Sequence, residues 1–130
     1  EVADGVCFGR LPDRALARER AARGVRTVVD LTAEHAVPHS LRGAGYVGVP
    51  MMDLAEPERA MLEAAADAIE HGRRRGAVYV HCALGYGRSA RAVAWWLWRT
   101  GRAHSLEQAG ARVLAARPRA HLQGASHVAA

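Results

Sequence analysis

The chain has 130 residues, of which 50% are hydrophobic and 24% are charged, so it can form a folded core and is neither disordered nor fibrous. Its net charge of +5 comes from 18 basic residues that are all arginine, which favours anionic partners. Nucleic acid is not expected as the partner, because the arginines are scattered and only three Trp, three Tyr and one Phe could stack on bases.

The first half of the chain predicts three strands and one helix. In chain order the elements are a strand at 6–8, a helix at 12–23, a strand at 26–31, an irregular segment at 32–45 with one helical turn near Ser40, and a strand at 46–49. Pro12 suits the first turn of the helix and Gly24 suits its end. The β-branched residues of the second strand indicate that it is buried.

The second half predicts one more strand between helices. The elements are a helix at 57–71, a strand at 77–81, helices at 88–100 and 105–116, and a weaker helical segment from Pro118. The helix at 57–71 is amphipathic, whereas the helix at 88–100 is apolar nearly all round and is expected at the centre of the fold. Ser105 and Gln108 form a capping box at the start of the last clear helix.

This alternation of strands and helices predicts an α/β fold. We expect a mainly parallel central sheet of four to five strands with helices on both faces, and a ligand site at the C-terminal ends of the strands. One domain over residues 1–130 is expected at this length, with no leader and no membrane-spanning run. Because the chain starts at Glu1, we expect it to come from a longer protein.

The cysteines and histidines do not suggest a disulfide framework or a metal site. The chain has two cysteines and seven histidines, without the spacing of metal ligands, so no metal and no cofactor are expected. Cys7 is predicted to be a buried strand cysteine, with a protective disulfide to Cys82 as the alternative.

One segment between a predicted strand and a predicted helix carries the chemistry. It reads His81-Cys82-Ala83-Leu84-Gly85-Tyr86-Gly87-Arg88-Ser89. Five residues between Cys82 and Arg88 can wrap around one tetrahedral anion, and Gly85 and Gly87 permit a positive φ and a close backbone approach. The N-terminus of the following helix and the planar fork of Arg88 would bind the same anion. We therefore predict a phosphate-binding loop over residues 83–88.

Cys82 lies at the base of this predicted loop. A free thiol ionises near pH 8.5, and helix N-termini and cations can lower this by several units. A thiolate that faces a bound phosphate is placed for in-line attack, and the loop would stabilise the transferred phosphoryl group. Cys82 is therefore predicted to be a nucleophile rather than an inert buried thiol.

These residues match every fixed position of H-C-x5-R-[ST], and the chain thus resembles the cysteine-dependent phosphatases. The order and spacing of its elements resemble the small dual-specificity branch, which implies a cysteine phosphatase-like fold. The runs Gly-Arg-Leu-Pro-Asp and Val-Val-Asp-Leu-Thr-Ala-Glu resemble bacterial members. Some of those are fused to a membrane-embedded phosphatidic-acid-phosphatase-like domain, which would fit a chain from a longer protein.

The resemblance implies a role for each residue of the motif. Cys82 would be the nucleophile and Arg88 would clamp the phosphate. His81 would order the loop and favour the thiolate. The alternative is a histidine at the end of the strand whose ring is simply hydrogen-bonded to the backbone. Ser89 would hydrogen-bond the Cys82 sulfur and ease its departure, the alternative being a first-turn residue without chemistry.

The family also needs a general acid on a separate loop. Asp53 is the best candidate, because it follows the third predicted strand and lies 29 residues before Cys82. The alternative is an aspartate that caps the next helix. Glu56 is the nearest rival carboxylate, and Glu34 could reach the mouth of the site or brace Arg88.

The predicted function is hydrolysis of phosphate monoesters through a phosphocysteine intermediate. The expected substrates are phosphotyrosine and phosphoserine or phosphothreonine in proteins, because the chain lacks the extra segments that build a deep phosphotyrosine slot. Lipid phosphates are the alternative, and the absence of basic residues within the loop weighs against them. A rhodanese-like sulfurtransferase and an idle phosphate-binding module are weaker alternatives. Inhibition by phosphate or vanadate and a cytoplasmic location are also expected.

Overall fold

The central element is a parallel sheet. A computed structural model describes residues 2–32, 45–50, 59–82 and 87–116. The strands in these ranges are β1 (Val6–Gly9), β2 (Val25–Asp30), β3 (Tyr46–Gly48) and β4 (Ala77–His81). They pair in the order β1-β4-β2-β3, and every pairing is parallel. The predicted α/β class with a parallel central sheet is confirmed.

Helices follow the strands in the predicted order. They are α1 (Arg14–Ala22), α2 (Arg59–Arg73), α3 (Arg88–Arg99) and α4 (Leu106–Ala116). α1 begins two residues later than predicted, because Asp13 caps it and accepts a hydrogen bond from the Leu16 N–H at 2.8 Å. None of the described helices is long and apolar enough to cross a membrane. The predicted turn near Ser40 and the segment from Pro118 lie outside the described residues.

Side chains of β4 alternate between two apolar clusters. Val78, Val80 and Cys82 belong to the larger cluster, which α2 and α3 cover, whereas Tyr79 packs with Ala17 of α1 in the smaller one. β4 is also the strand next to both β1 and β2, so its C-terminal end lies in the interior of the sheet. Cys82, the residue that follows β4, is therefore flanked by a neighbouring strand on each side.

α3 is the central helix, as predicted. All residues from Arg88 to Leu97 are buried. Two carboxylates of α2 hold its tryptophans: Trp95 Nε1 donates to Glu63 Oε1 at 2.8 Å, and Trp96 Nε1 donates to Glu70 Oε1 at 3.0 Å. Because α3 begins directly after the predicted loop, these bonds also fix where the loop ends.

Glu70 is the more strongly paired of the two carboxylates. Arg73 donates to it from Nε at 3.0 Å and from Nη2 at 2.7 Å, and Arg102 Nη1 lies 3.4 Å away. The hydrogen bonds from Arg73 lower the pKa of Glu70 to about 2, against the opposing effect of burial, and the Trp96 N–H and Arg102 act in the same direction as Arg73. A carboxylate whose pKa is lowered on folding stabilises the folded state above its ordinary pKa, and this stabilisation is lost as the pH falls.

We predict that Glu70→Gln lowers the free energy of unfolding at pH 7, by at most about 3 kcal/mol. The difference from the wild type should shrink as the pH falls from about 4.5 towards 2, because Glu70 then takes up a proton in the wild type as well. Urea denaturation followed by tryptophan fluorescence at both ends of this range measures the difference. Asp67→Asn is the control, since that side chain is 73% exposed on the same helix. A difference that does not vary with pH would contradict the prediction.

Candidate active site

Backbone hydrogen bonds hold Cys82 at the C-terminal edge of the sheet. Its N–H donates to the Gly9 carbonyl at 3.3 Å, and the Leu31 N–H donates to the carbonyl of the preceding residue, His81, at 2.9 Å. The residue is only 3% exposed. Both neighbouring strands therefore fix the backbone from which the thiol projects, at the end of the sheet where ligands of parallel folds bind.

The N-terminus of α3 follows Cys82 after the predicted loop. Gly87 is the N-cap of this helix and offers no side-chain hydrogen bond to the first turn. The helix N-terminus carries partial positive charge, and Arg88 adds a full charge at 2% exposure. Gly87 has φ −119°, so it does not use the positive φ that glycine permits. The helix begins there without a left-handed residue.

Ser89 contacts the cysteine directly. Its Oγ lies 3.3 Å from Cys82 Sγ, and its side chain is completely buried. The neutral thiol donates to the hydroxyl, and a thiolate would instead accept from it. The predicted contact between the two side chains is present, and the catalytic role of Ser89 stays a prediction.

His81 lies behind the cysteine on the other side of the sheet. Its ring is fully buried and stacks on Tyr79, with 5.8 Å between the ring centroids. Nε2 lies 3.8 Å from Asp30 Oδ1. Burial lowers the pKa of His81 below its ordinary value, Asp30 and the Cys82 backbone oppose this effect, and Arg88 adds to it. The imidazole thus lies between the Asp30 carboxylate and the backbone of Cys82.

Asp30 is a residue that the sequence interpretation missed. It ends β2, pairs in register with His81 and is 2% exposed. Oδ1 accepts from the Thr32 N–H at 2.8 Å and from Thr32 Oγ1 at 2.5 Å, and Oδ2 accepts a short hydrogen bond from the Tyr46 hydroxyl. In the sequence, the one sign of such a role is that Asp30 is an acidic residue at the end of a strand rich in β-branched residues.

Part of the predicted site lies outside the described residues: the general-acid candidates Asp53, Glu56 and Glu34, and the loop residues Ala83, Leu84, Gly85 and Tyr86. Their roles stay predictions. Within the described ranges, no three His, Cys, Asp or Glu side chains are grouped so that they could hold a metal ion.

Cys7 is separated from Cys82 by the sheet. It pairs with Tyr79, packs in the α1 cluster and donates from Sγ to the Val78 carbonyl at 3.3 Å. Its partner position on β4 precedes Cys82 by three residues, or about 10 Å of strand. Since a disulfide requires Cα atoms within about 7 Å, the protective bond between the two cysteines is not compatible with this geometry.

A family model matches most of the chain. The model described as "Polymorphic toxin system, DSP-PTPase phosphatase" matches residues 14–102, a range that includes Cys82, Arg88 and Ser89. This favours the phosphatase prediction over the sulfurtransferase alternative. No curated protein matches the chain.

Solved structures of phosphatases share the fold. Tk-PTP in its active form is 27% identical, with a TM-score of 0.85 over 99% of this chain and 91% of that chain. A single-substitution variant of human DUSP28 is 30% identical, with a TM-score of 0.85 over 99% of this chain and 89% of that chain. PTPMT1 is 24% identical with a TM-score of 0.82 over 98% and 88%, and this likeness shows the fold alone.

We predict that Ser89→Ala makes Cys82 less reactive at neutral pH. The hydroxyl lies 3.3 Å from the sulfur and would donate to a thiolate, so its loss should raise the midpoint pH of inactivation by iodoacetate by about one unit. Ser105→Ala is the matched control, because Ser105 caps α4 by accepting from the Gln108 N–H at 3.0 Å. The control should cost stability and leave the midpoint unchanged. Equal midpoints in the wild type and Ser89→Ala would contradict the prediction.

Proposed function

Because the chain belongs to the DSP-PTPase family of cysteine-dependent phosphatases, it is a phosphatase of the protein-tyrosine and dual-specificity type, and we propose that Cys82 is its nucleophile. One observation carries this assignment: the Cys82 thiol is buried at the end of the central strand, 3.3 Å from the Ser89 hydroxyl in the first turn of α3. Helix N-termini, hydroxyl donors and arginines are the surroundings in which reactive cysteines are found, and the first turn of α3 supplies all three.

In the first step of the proposed reaction the Cys82 thiolate attacks the phosphorus atom. An S–P bond forms and the P–O bond to the substrate breaks, and Asp53 gives its proton to the departing oxygen. Arg88 binds two of the equatorial oxygens through its planar fork, together with the backbone N–H groups of residues 83–88. The products are the phosphocysteine and the free alcohol or phenol.

In the second step water hydrolyses the phosphocysteine. Asp53 now takes a proton from the attacking water, the S–P bond breaks, and inorganic phosphate leaves. The Ser89 hydroxyl can donate to the sulfur as it regains its negative charge, which makes the thiolate a better leaving group. His81, on the opposite face of the sheet, also stabilises the negative charge on the Cys82 sulfur. The scheme needs no metal or cofactor.

The proposed substrates are phosphotyrosine and phosphoserine or phosphothreonine in proteins. The five residues between Cys82 and Arg88 include no basic side chain, which disfavours binding of a polyphosphorylated lipid head group. The excess of arginine over acidic residues suits phosphorylated, acidic partners. We also propose a cytoplasmic location, because a catalytic thiolate must stay reduced, and inhibition by phosphate and vanadate, which would occupy the same loop.

We predict that phosphopeptides are hydrolysed faster than phosphoinositides and phosphatidylglycerophosphate when all are tested in one panel. In that panel Arg88→Lys should lower turnover of every substrate by at least about a hundredfold. Lysine keeps the charge and loses the fork, which weakens two charge-assisted hydrogen bonds of about 1.5–3 kcal/mol each.

Arg99→Lys is the matched control for that panel. Arg99 lies at the other end of α3, where it pairs with Glu63 and Asp67. Its conservative substitution should leave turnover close to that of the wild type. Near-normal turnover of Arg88→Lys would show that Arg88 does not clamp the phosphate, and faster hydrolysis of the lipids would move the substrate assignment to them.

We predict that Asp53→Asn slows phosphotyrosine hydrolysis by roughly 10²–10⁴-fold. Formation of the phosphocysteine from a strongly activated aryl phosphate should slow far less, because its leaving group needs no proton. The measurement is the burst-phase rate against leaving-group pKa for the wild type and Asp53→Asn.

The plots of burst-phase rate against leaving-group pKa for the wild type and Asp53→Asn should diverge as the leaving group becomes more basic. The basic limb of the pH–rate profile should also flatten in Asp53→Asn, because that limb reports loss of the acid's proton. An aspartate that only caps a helix would lower stability by about 0.5–2 kcal/mol and affect all substrates alike. Parallel lines would reject Asp53 and direct the same experiment to Glu56 and then Glu34.

A further inference from the structure

A polar cluster, buried except for Tyr46, lies on the α1 side of the sheet, opposite the side of the candidate nucleophile. Its members are Asp30, Thr32, Tyr46, Tyr79 and His81. Only His81 has a part in the proposed reaction. Burying polar groups is costly unless they are paired, and burying a carboxylate is especially costly. The cluster therefore calls for a physical explanation beyond packing.

Asp30 is held rigidly within this cluster. Three donors bind its two oxygens: the Thr32 N–H and hydroxyl on Oδ1, and the Tyr46 hydroxyl on Oδ2. β2 and β4 are adjacent strands, and Asp30 and His81 occupy the same register position, so their side chains project on the same side of the sheet. The carboxylate thus has one orientation, with Oδ1 towards the imidazole.

The imidazole of His81 has no such support from hydrogen bonds. Neither buried ring nitrogen makes a hydrogen bond of ordinary geometry to a residue that the structure describes, although Nε2 lies 3.8 Å from Asp30 Oδ1. That separation is slightly longer than a hydrogen bond and is within the range of an ion pair. Because Cys82 directly follows His81 along the chain, a charge on this ring acts on the nucleophile.

We propose that Asp30 is a positioning residue that acts on Cys82 through His81. The carboxylate orients the imidazole and favours its protonated form, and the imidazolium in turn stabilises the Cys82 thiolate. This inference rests on the proposed function of Cys82 as nucleophile. Asp30 itself touches neither the sulfur nor the substrate in this scheme.

The charges around His81 come from several elements. Burial, which is the largest effect, and Arg88 of α3 lower the pKa of His81, whereas Asp30 of β2 and the Cys82 backbone raise it. Tyr79 of β4 stacks on the ring, and Tyr46 of β3 contacts Asp30. Asp30 is therefore the anion that offsets Arg88 at this imidazole.

The direction in which the midpoint pH of Cys82 inactivation shifts distinguishes this role from one in which Asp30 acts only as a nearby negative charge. A negative charge near a thiol opposes the thiolate directly, so removing the charge of a bystander Asp30 should lower the midpoint pH of Cys82 inactivation by iodoacetate. If Asp30 acts through His81, removing its charge disfavours the imidazolium and should raise the midpoint. The two interpretations predict opposite shifts.

The experiment compares iodoacetate inactivation of the wild type, Asp30→Asn, His81→Gln and the double variant across pH. We expect Asp30→Asn to raise the midpoint by about one unit, which corresponds to a tenfold smaller thiolate fraction at neutral pH. The same substitution should cause no upward shift in the His81→Gln background, because the imidazole through which it acts is absent. Thermal denaturation confirms that each variant is folded.

A second variant covers the case in which Asp30→Asn does not fold. Tyr46→Phe keeps the carboxylate and removes a donor that partly compensates its charge, and Tyr46 is 38% exposed on an edge strand. The carboxylate then exerts a stronger negative potential on His81, so we expect the midpoint to fall by a few tenths of a pH unit, again only when His81 is present. A direct effect of the same carboxylate on the thiol would instead raise the midpoint. For either variant, no shift, a shift opposite in sign to the expected one, or a shift that persists in His81→Gln would overturn the proposal. A wild-type midpoint near 8.5 would instead overturn the thiolate role of Cys82 itself.

Discussion

β4 is hydrogen-bonded to a parallel strand on each side, and this pairing determines where its last residues lie. The Cys82 N–H is bound by Gly9 of β1, and the His81 carbonyl is bound by the Leu31 N–H that follows β2. Parallel strands bring all their C-terminal ends to one edge, so the thiol, the α3 N-terminus and the end of β2 meet there. A strand at the edge of the sheet would hold the cysteine from one side only.

The pleat of β4 then divides the chemistry between the two faces of the sheet. Cys82 lies on the side of α2 and α3, where it contacts Ser89, while His81 lies on the side of α1, where it faces Asp30. Adjacent residues of a strand project to opposite faces, so one dipeptide carries both the proposed nucleophile and the imidazole proposed to support it. The substrate side and the supporting side can thus be built from different helices.

Hydrogen bonds between elements support the surroundings of the site. Glu63 and Glu70 of α2 hold the tryptophans of α3, the helix whose first turn contributes Arg88 and Ser89. A reacting group must be held to within a fraction of an ångström, which requires that the neighbouring residues are themselves fixed by contacts such as these hydrogen bonds. The family membership establishes the type of reaction, and these contacts indicate how this chain positions its own residues for it.

The sequence by itself determined the four strands, the helices and the Cys82, Arg88 and Ser89 motif, because β-branched runs, apolar periodicity and a five-residue loop are local patterns. Only the tertiary structure decided that Gly87 has a negative φ, that the sheet separates Cys7 from Cys82, and that Asp30 faces His81. The contact between Asp30 and His81 joins two strands that are distant in the chain and exists only because β2 pairs beside β4 in that register. Strand order and register arise from packing of the whole domain, and no short stretch of sequence encodes them.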